Sequence, residues 1–179
     1  MMKLDDADLI EACHRKESKA LKEIYERYAP KMYGVCLRYM KDSDSAEDVL
    51  HDGFIKAFSK IDNLRSIEAV EGWLRTIMIN TALNALRKEK QTYELPDNVD
   101  ISNDNLIDDK IYDNVDIEIL MENIRALPPR YRAVFNLCEI EGYSYNEVAT
   151  KLGIQPVSVR SNLMRAKRLL ATNLKKIGF

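Results

Sequence analysis

Local structure is most strongly specified by the residues Gly142-Tyr143-Ser144-Tyr145-Asn146-Glu147-Val148-Ala149-Thr150-Lys151-Leu152-Gly153-Ile154-Gln155-Pro156-Val157-Ser158-Val159-Arg160. Ser144 and Glu147 have the spacing of a capping box, which predicts the start of a short helix. Gly153 stands where a tight turn needs a positive φ, and Pro156 suits the first turn of another helix. Helix, glycine turn and second helix together predict a helix-turn-helix.

The second helix of this pattern has two different faces. Four apolar residues recur at steps of three and four and are expected to pack inward: Val159, Leu163, Ala166 and Leu170. Other side chains point elsewhere, with Lys167 on the flank: Arg160, Ser161, Met164, Arg165 and Arg168. A DNA recognition helix needs an apolar back and a front of Arg, Ser and Asn. The alternative is a solvated basic face on an ordinary amphipathic helix.

Charge is distributed unevenly along the 179 residues, although its net value is only −2. Residues 94–123 hold 10 acidic side chains and 1 basic one, whereas residues 124–179 hold 10 basic and 3 acidic. Segments this unlike in charge predict different partners.

The acidic segment also lacks a sustained apolar period and is rich in Asp and Asn, which disfavour helix. We therefore predict a linker at 92–115 between two domains, 1–91 and 116–179. The alternative is an acidic loop within one domain, although structureless loops of this length are uncommon.

The remaining sequence predicts an all-α fold. Gly (6) and Pro (5) are scarce, and no strand-like alternation is evident. In the first domain we expect one helix before Pro30 and another after it, and then a helix for which Ser45 is a candidate N-cap. A long helix is predicted from about Val70 to Glu89, with Trp73 in its core-facing stripe.

Several classes of protein are disfavoured. No stretch approaches 18 uncharged apolar residues, and the amino terminus lacks the layout of a secretory signal, so we expect a cytoplasmic protein with no membrane insertion. Cys13, Cys36 and Cys138 are scattered and odd in number, which favours reduced core thiols over disulfides or a metal site. The phosphate-binding GxxxxGK[ST], HExxH and GxSxG motifs are absent, and no catalytic activity is expected.

Four segments, in this order, resemble the extracytoplasmic-function (ECF) group of bacterial sigma factors. Ala46 to Phe58 is similar to the polymerase-binding helix of its second region, and Gly72 to Lys88 to the promoter-reading helix that follows. Leu127-Pro128-Pro129-Arg130-Tyr131-Arg132-Ala133-Val134-Phe135 resembles the lead-in to its fourth region, and Ser144 to Leu170 resembles that region itself. The resemblance covers roughly residues 15–90 and 116–176, and it implies two helical domains joined by a flexible acidic linker.

The resemblance also implies a role for each region. An exposed face in the second region would bind core RNA polymerase through Glu47, Asp48, His51, Asp52 and Ile55. His51 stands where the family commonly has Gln.

A loop and the long helix would read and melt the −10 promoter element through Asn63, Leu64, Arg65, Ser66, Arg75, Asn80, Asn84, Arg87 and Lys88. Asn84 replaces a common Asp of the family, and Arg87-Lys88 replaces a usual Arg-Arg pair. The fourth region would read the −35 element through Ser158, Arg160, Ser161, Asn162, Arg165, Lys167 and Arg168.

Partners implied by the resemblance are core RNA polymerase, promoter DNA and an anti-sigma factor. The family needs no metal and no organic cofactor. Two other hypotheses stay open on the residues alone. One is a free-standing helix-turn-helix regulator that binds operator DNA without polymerase, usually as a dimer. The other is an all-helical adaptor that does not bind DNA.

Overall fold

A computed structural model of the chain describes residues 6–92 and 116–178. Within these residues the fold is all-α, as predicted. The predicted linker, 92–115, lies outside them except for its first residue, which ends a helix. Contacts divide the chain into two compact units, Met1–Ala85 and Leu86–Phe179. The helices of the described residues are α1 (Asp6–His14), α2 (Ser18–Tyr39), α3 (Ser43–Ser59), α4 (Ile67–Thr92), α5 (Ile117–Ala126), α6 (Pro129–Phe135), α7 (Tyr145–Leu152) and α8 (Pro156–Lys176).

In the first unit α2 is a single helix, and the predicted break at Pro30 is wrong. Buried residues lie on both sides of the proline, among them Ile24 and Met32. A proline inside a helix removes one backbone hydrogen bond and is unfavourable in isolation. Packing of the apolar face supplies most of a helix's stability in a folded protein, and here it keeps the two halves together.

Helix α3 begins earlier than its predicted cap. Asp42, not Ser45, is the N-cap, and its carboxylate accepts a hydrogen bond of 2.8 Å from the backbone N–H of Ser45. The apolar side of α3 then packs on α2, where the rings of Phe54 and Tyr25 lie 4.7 Å apart between centroids. The cap and this packing fix which side of α3 remains outside.

Gly53 lets α3 approach α4 closely. A Cβ at this position would lie 2.8 Å from Cε of Met78, and Sδ of the same side chain is nearer still. Met78 is fully buried, so its side chain has little room to move away.

We expect Gly53→Ala to be less stable than Gly34→Ala, because Sδ and Cε of Met78 must shift to admit the new Cβ and this cost offsets the better helix propensity of alanine. Overpacking of a core costs about 1–3 kcal/mol. The matched control is Gly34→Ala in α2, because nothing lies within 4 Å of that Cβ position and the change should stabilise by about 0.5–1 kcal/mol. Urea unfolding followed by the fluorescence of Trp73, the one tryptophan, measures both variants. Equal stability of the two variants would contradict the close approach.

The second unit contains a buried arginine in the short helix α6. Arg132 is only 4% exposed, and its Nε and Nη2 donate to the backbone carbonyl of Leu127 at 3.2 and 2.9 Å. This arginine therefore ties α6 to the end of α5. A π-helical segment, Asn136–Ile140, follows α6 and leads to the predicted motif.

The helix-turn-helix is formed as predicted. Both hydrogen bonds of the capping box are present between Ser144 and Glu147 at the start of α7. Gly153 ends α7 with φ +67° and ψ +38°, the left-handed conformation that glycine adopts most readily. Pro156 occupies the first turn of α8. The buried side of α8 packs on α6 and α7, which leaves its other side outward.

Candidate functional site

The outward face of α8 carries two exposed polar side chains near its amino-terminal end, Arg160 and Ser161. The opposite side is buried at the four positions predicted from the spacing: Val159, Leu163, Ala166 and Leu170. Ser161 Oγ donates to the backbone carbonyl of Ser158 at 3.1 Å. A helix with this exposed front has the surface that a DNA major groove admits.

Three cations in the middle of α8 are half-buried: Arg165, Lys167 and Arg168. Arg165 makes no ion pair with another described residue, whereas Lys167 pairs with Glu139 of the π-helical segment at 3.1 Å. Arg168 also has an interaction partner. The predicted −35 cations therefore differ in exposure and in their interactions within the protein. Arg160 and Arg165 are best placed to contact an incoming ligand.

Asn162 does not belong to the outward face. Its side chain is 4% exposed, and its Nδ2 has no hydrogen-bond partner among the described residues. At about 100° per residue, Asn162 lies nearer to Val159 and Leu163 than to Arg160. The prediction that it faces DNA is wrong because angular position, not polarity, decides which side chains point outward.

Helix α3 presents the second outward face. All five of the residues predicted for polymerase binding are exposed along it: Glu47, Asp48, His51, Asp52 and Ile55. Ile55 is 67% exposed, which is unusual for a large aliphatic side chain in the middle of a helix. The opposite side, including Val49 and Ala57, is buried. The face thus combines three carboxylates with one apolar side chain.

The segment between α3 and α4 is only partly accessible. Asn63 and Arg65 are exposed and Ser66 is half-buried, but Leu64 is 1% exposed. The backbone carbonyl of Leu64 accepts a hydrogen bond of 2.7 Å from Nε2 of His14. Leu64 is therefore a core residue that anchors the segment, and its predicted direct role at the −10 element is corrected.

Helix α4 brings most of its predicted DNA contacts onto one side. Four residues are exposed and recur at helical spacing: Asn80, Asn84, Arg87 and Lys88. Arg75 is half-buried and has an interaction partner, and at about 100° per residue it lies on the other side of the helix. The structure therefore does not group Arg75 with the other four.

Trp73 differs from its predicted core position. Its side chain is only half-buried, and at helical spacing it falls on the side of Asn80. The apolar side of α4 that the sequence predicts is wider than the side that packs in the structure, which is centred on Leu74 and Met78.

The three cysteines are free thiols; Cys13 and Cys36 are buried and Cys138 is half-buried. Burial raises the pKa of the Cys36 thiol to about 12, and burial together with the Glu139 carboxylate raises the pKa of the Cys138 thiol to about 11. Burial also raises the pKa of Cys13. Thiolate is the reactive form, so these groups are poor nucleophiles at neutral pH. Among the described residues, no three His, Cys, Asp or Glu side chains group as a metal site requires.

We expect the native protein to react slowly with a disulfide reagent such as dithionitrobenzoate at pH 8. The raised pKa values keep nearly all of the thiol protonated, and burial hinders access, so the rate should be more than about tenfold below that of the urea-unfolded chain. Absorbance of the released thiolate measures both rates. Rapid reaction of one cysteine in the native protein would show a reactive site.

Among the described residues, no helix has the length and apolar character to cross a membrane.

Comparison with known protein families gives two matches. Residues 24–92 match sigma-70 region 2, and residues 117–170 match sigma-70 region 4. Together these segments make up more than two thirds of the chain. The first contains the exposed faces of α3 and α4, and the second contains the helix-turn-helix.

Similar proteins are found in several bacteria. The RNA polymerase sigma-H factor of Pseudomonas aeruginosa is 28% identical over 96% of this chain and 95% of its own length. The ECF RNA polymerase sigma-E factor of Escherichia coli is 28% identical over 97% of this chain and 96% of its own length. The ECF sigma factor SigE of Mycolicibacterium smegmatis is 30% identical over 86% of this chain and 61% of its own length.

A solved structure has a similar fold. The sigma factor RpoE of Bartonella quintana, crystallised with the anti-sigma factor NepR, matches with a TM-score of 0.53 and 24% identity over 90% of this chain and 99% of that one. Both sigma-70 regions occur in the family's order, and the Pseudomonas aeruginosa and Escherichia coli relatives match 96% and 97% of this chain. The chain belongs to the sigma-70 family of RNA polymerase sigma factors, in its ECF group, whose members direct the initiation of transcription at specific promoters.

Proposed function

We propose that the outward face of α3 binds core RNA polymerase while α4 and α8 read two elements of one promoter. The observation that carries this proposal is the placement of two unlike faces in separate units. The α3 face is acidic with a 67% exposed Ile55, and the α8 face is basic. Two such surfaces suit two chemically different partners.

The chemistry of the α3 face suits a protein partner with basic and apolar groups. Asp48, Asp52 and Ile55 are all exposed, and they recur at steps of four and three on one side of the helix. Carboxylates attract and orient a basic surface of the partner. An aliphatic side chain that becomes buried at the centre of an interface adds affinity. DNA would be repelled by this face.

The chemistry of the α8 face suits double-stranded DNA. Arg160 is exposed and Arg165 half-exposed, and arginine either binds guanine in bidentate fashion or neutralises phosphate. The proposed −35 contacts are therefore Ser158, Arg160, Ser161 and Arg165, with Lys167 and Arg168 on the flank. Lys167 already pairs with Glu139, so we propose it only as a flanking contact to the DNA phosphates.

The proposed −10 contacts are the exposed residues of the α3–α4 segment and of α4. Asn63, Arg65 and the half-buried Ser66 lie in the segment, followed by Asn80, Asn84, Arg87 and Lys88 on the helix. Taking a base out of the DNA stack costs a few kcal/mol, and these polar groups offer the compensating hydrogen bonds.

The acidic residues 92–115 join the proposed domains 1–91 and 116–179. Once one of the two domains is bound to the promoter, a linker of this kind raises the effective concentration of the other domain near its own DNA element. We further propose that the protein works in the cytoplasm, has no catalytic activity of its own and is regulated by an anti-sigma protein. The RpoE structure of Bartonella quintana contains such a partner, which supports the last point.

Run-off transcription with core RNA polymerase on a genomic fragment library tests the proposal. We expect discrete promoters to be transcribed only when the chain is added, and their shared sequences define the two elements. Tight binding of the chain to operator DNA without polymerase, with no transcript, would favour a free-standing regulator instead. Binding to neither DNA nor polymerase would favour an adaptor.

A further inference from the structure

Two apolar side chains are exposed on the DNA-facing side of α8. Val157 is 74% exposed and Met164 is 47% exposed. They are seven residues apart, which is two helical turns, or about 10 Å along the axis. Arg160 and Ser161, both exposed, lie between them on the same side. The apolar pair therefore occupies the centre of this face and not its edge.

Single exposed aliphatic side chains are common on protein surfaces and need no special reason. Here, however, two of them line up with the cations on a helix that contains no acidic residue from Pro156 to Lys176. A partner for this face must be negatively charged and must offer apolar groups at a spacing of two helical turns. The charge favours DNA over a protein surface.

The major groove offers one apolar group among the edges of its base pairs, the C5-methyl of thymine. Hydrogen-bonding side chains cannot use that group, whereas aliphatic side chains gain by excluding water from it. Val157 is the second residue of α8, close to the helix end that enters the groove in helix-turn-helix proteins. Met164 lies two helical turns further along α8, and its side chain is longer and more flexible than that of Val157.

We propose that Val157 and Met164 contact thymine methyl groups in the −35 element and thereby specify thymine beside the base pairs and phosphates bound by Arg160 and Arg165. This inference rests on the proposed role of α8 as the recognition helix. It adds to that role a second kind of readout, through methyl groups, and it assigns residues that the polar pattern of the sequence did not include.

Replacement of thymine by deoxyuridine tests the proposal, because deoxyuridine lacks only the methyl group. Holoenzyme made from the full chain and core polymerase is bound to a promoter found by run-off transcription, with each −35 thymine replaced in turn. We expect two replacements to weaken binding, each by about fourfold, the value for one buried methyl-sized group. Val157→Ala should remove the sensitivity at one of these positions, and Met164→Ala at the other.

Two controls accompany this experiment. Deoxyuridine at a thymine between the −35 and −10 elements should leave binding unchanged. Because both side chains are exposed, the two alanine variants should also keep the unfolding midpoint of the parent chain.

The outcomes separate this inference from the function on which it rests. If Arg160→Ala weakens binding but no deoxyuridine replacement does, or if the −35 element contains no thymine, the methyl readout is overturned and the recognition helix stands. If Arg160→Ala also has no effect, the recognition helix is wrong and the methyl readout is overturned with it.

Discussion

Asp48→Ala should lower the affinity of the chain for core RNA polymerase by at least about tenfold. The carboxylate is exposed on the α3 face, one helical turn before Asp52 and two turns before Ile55. Removing one partner of a charge pair that becomes buried in an interface costs about 2–5 kcal/mol, and each 1.4 kcal/mol is tenfold in affinity. Titration of fluorescently labelled chain with core enzyme measures the change directly.

Glu26→Ala is the matched control for Asp48→Ala. Glu26 is an exposed carboxylate of the same unit, on α2, with only a loose ion pair of 3.5 Å to Lys22. Both variants lose one negative charge, so a general electrostatic effect would weaken both equally. We expect Glu26→Ala to bind within about twofold of the parent, since exposed ion pairs contribute little. Equal weakening by both variants would mean that α3 carries no specific contact.

Arg160→Ala and Arg165→Ala should each lower transcription from a −35-dependent promoter by about tenfold while binding to core enzyme persists. A good bidentate contact from arginine to a base contributes about 1–3 kcal/mol. An arginine that instead neutralises a phosphate should, when removed, reduce the salt dependence of promoter binding by about one unit of slope. Run-off transcription at several salt concentrations separates the two roles.

Lys175→Ala is the control for the arginine variants. It removes the same charge from the same helix, about 15 Å or more along the axis from Arg165, and Lys175 is exposed in the last turn of α8. We expect little change in transcription. A loss as large as that of Arg160→Ala would indicate that total charge, not the position of each cation, controls promoter use.

The helix-turn-helix could be predicted residue by residue because its determinants are local. The bonds between Ser144 and Glu147 and the positive φ of Gly153 depend on neighbours within a few positions. The same is true of Pro156 in the first turn of α8. Sequence spacing alone specifies such features, and the structure confirms all of them.

The errors at Pro30 and Leu64 have the opposite origin, since they depend on packing between distant segments, whereas the angular position of Asn162 on α8 is a local property. Pro30 does not break α2, because the core holds both halves of the helix. Leu64 and Asn162 were grouped with neighbouring polar residues, yet both are buried. Lys167 meets Glu139, a residue 28 positions earlier, and no local pattern predicts that pair.

The exposure of individual side chains also identified candidate DNA contacts that are not polar. Val157 and Met164 drew no functional assignment from the sequence, because a search for DNA contacts looks for charge and hydrogen-bonding groups. The helical spacing already predicts that Met164 points outward, whereas the exposure of Val157 becomes visible only when α8 is packed against α6 and α7. Similarly, the five residues of the α3 face could be assigned by resemblance, but that all are exposed on one helix follows from the packing of α3 on α2.

The most direct test is a hydroxyl-radical footprint of holoenzyme on an identified promoter. With the parent chain we predict two separate protected regions, one at each element. With the Arg160→Ala/Arg165→Ala variant only the upstream region should become accessible, and with Asp48→Ala both should be lost at limiting core enzyme. Protection of the promoter by the chain without polymerase, or a footprint that none of these substitutions alters, would contradict the account.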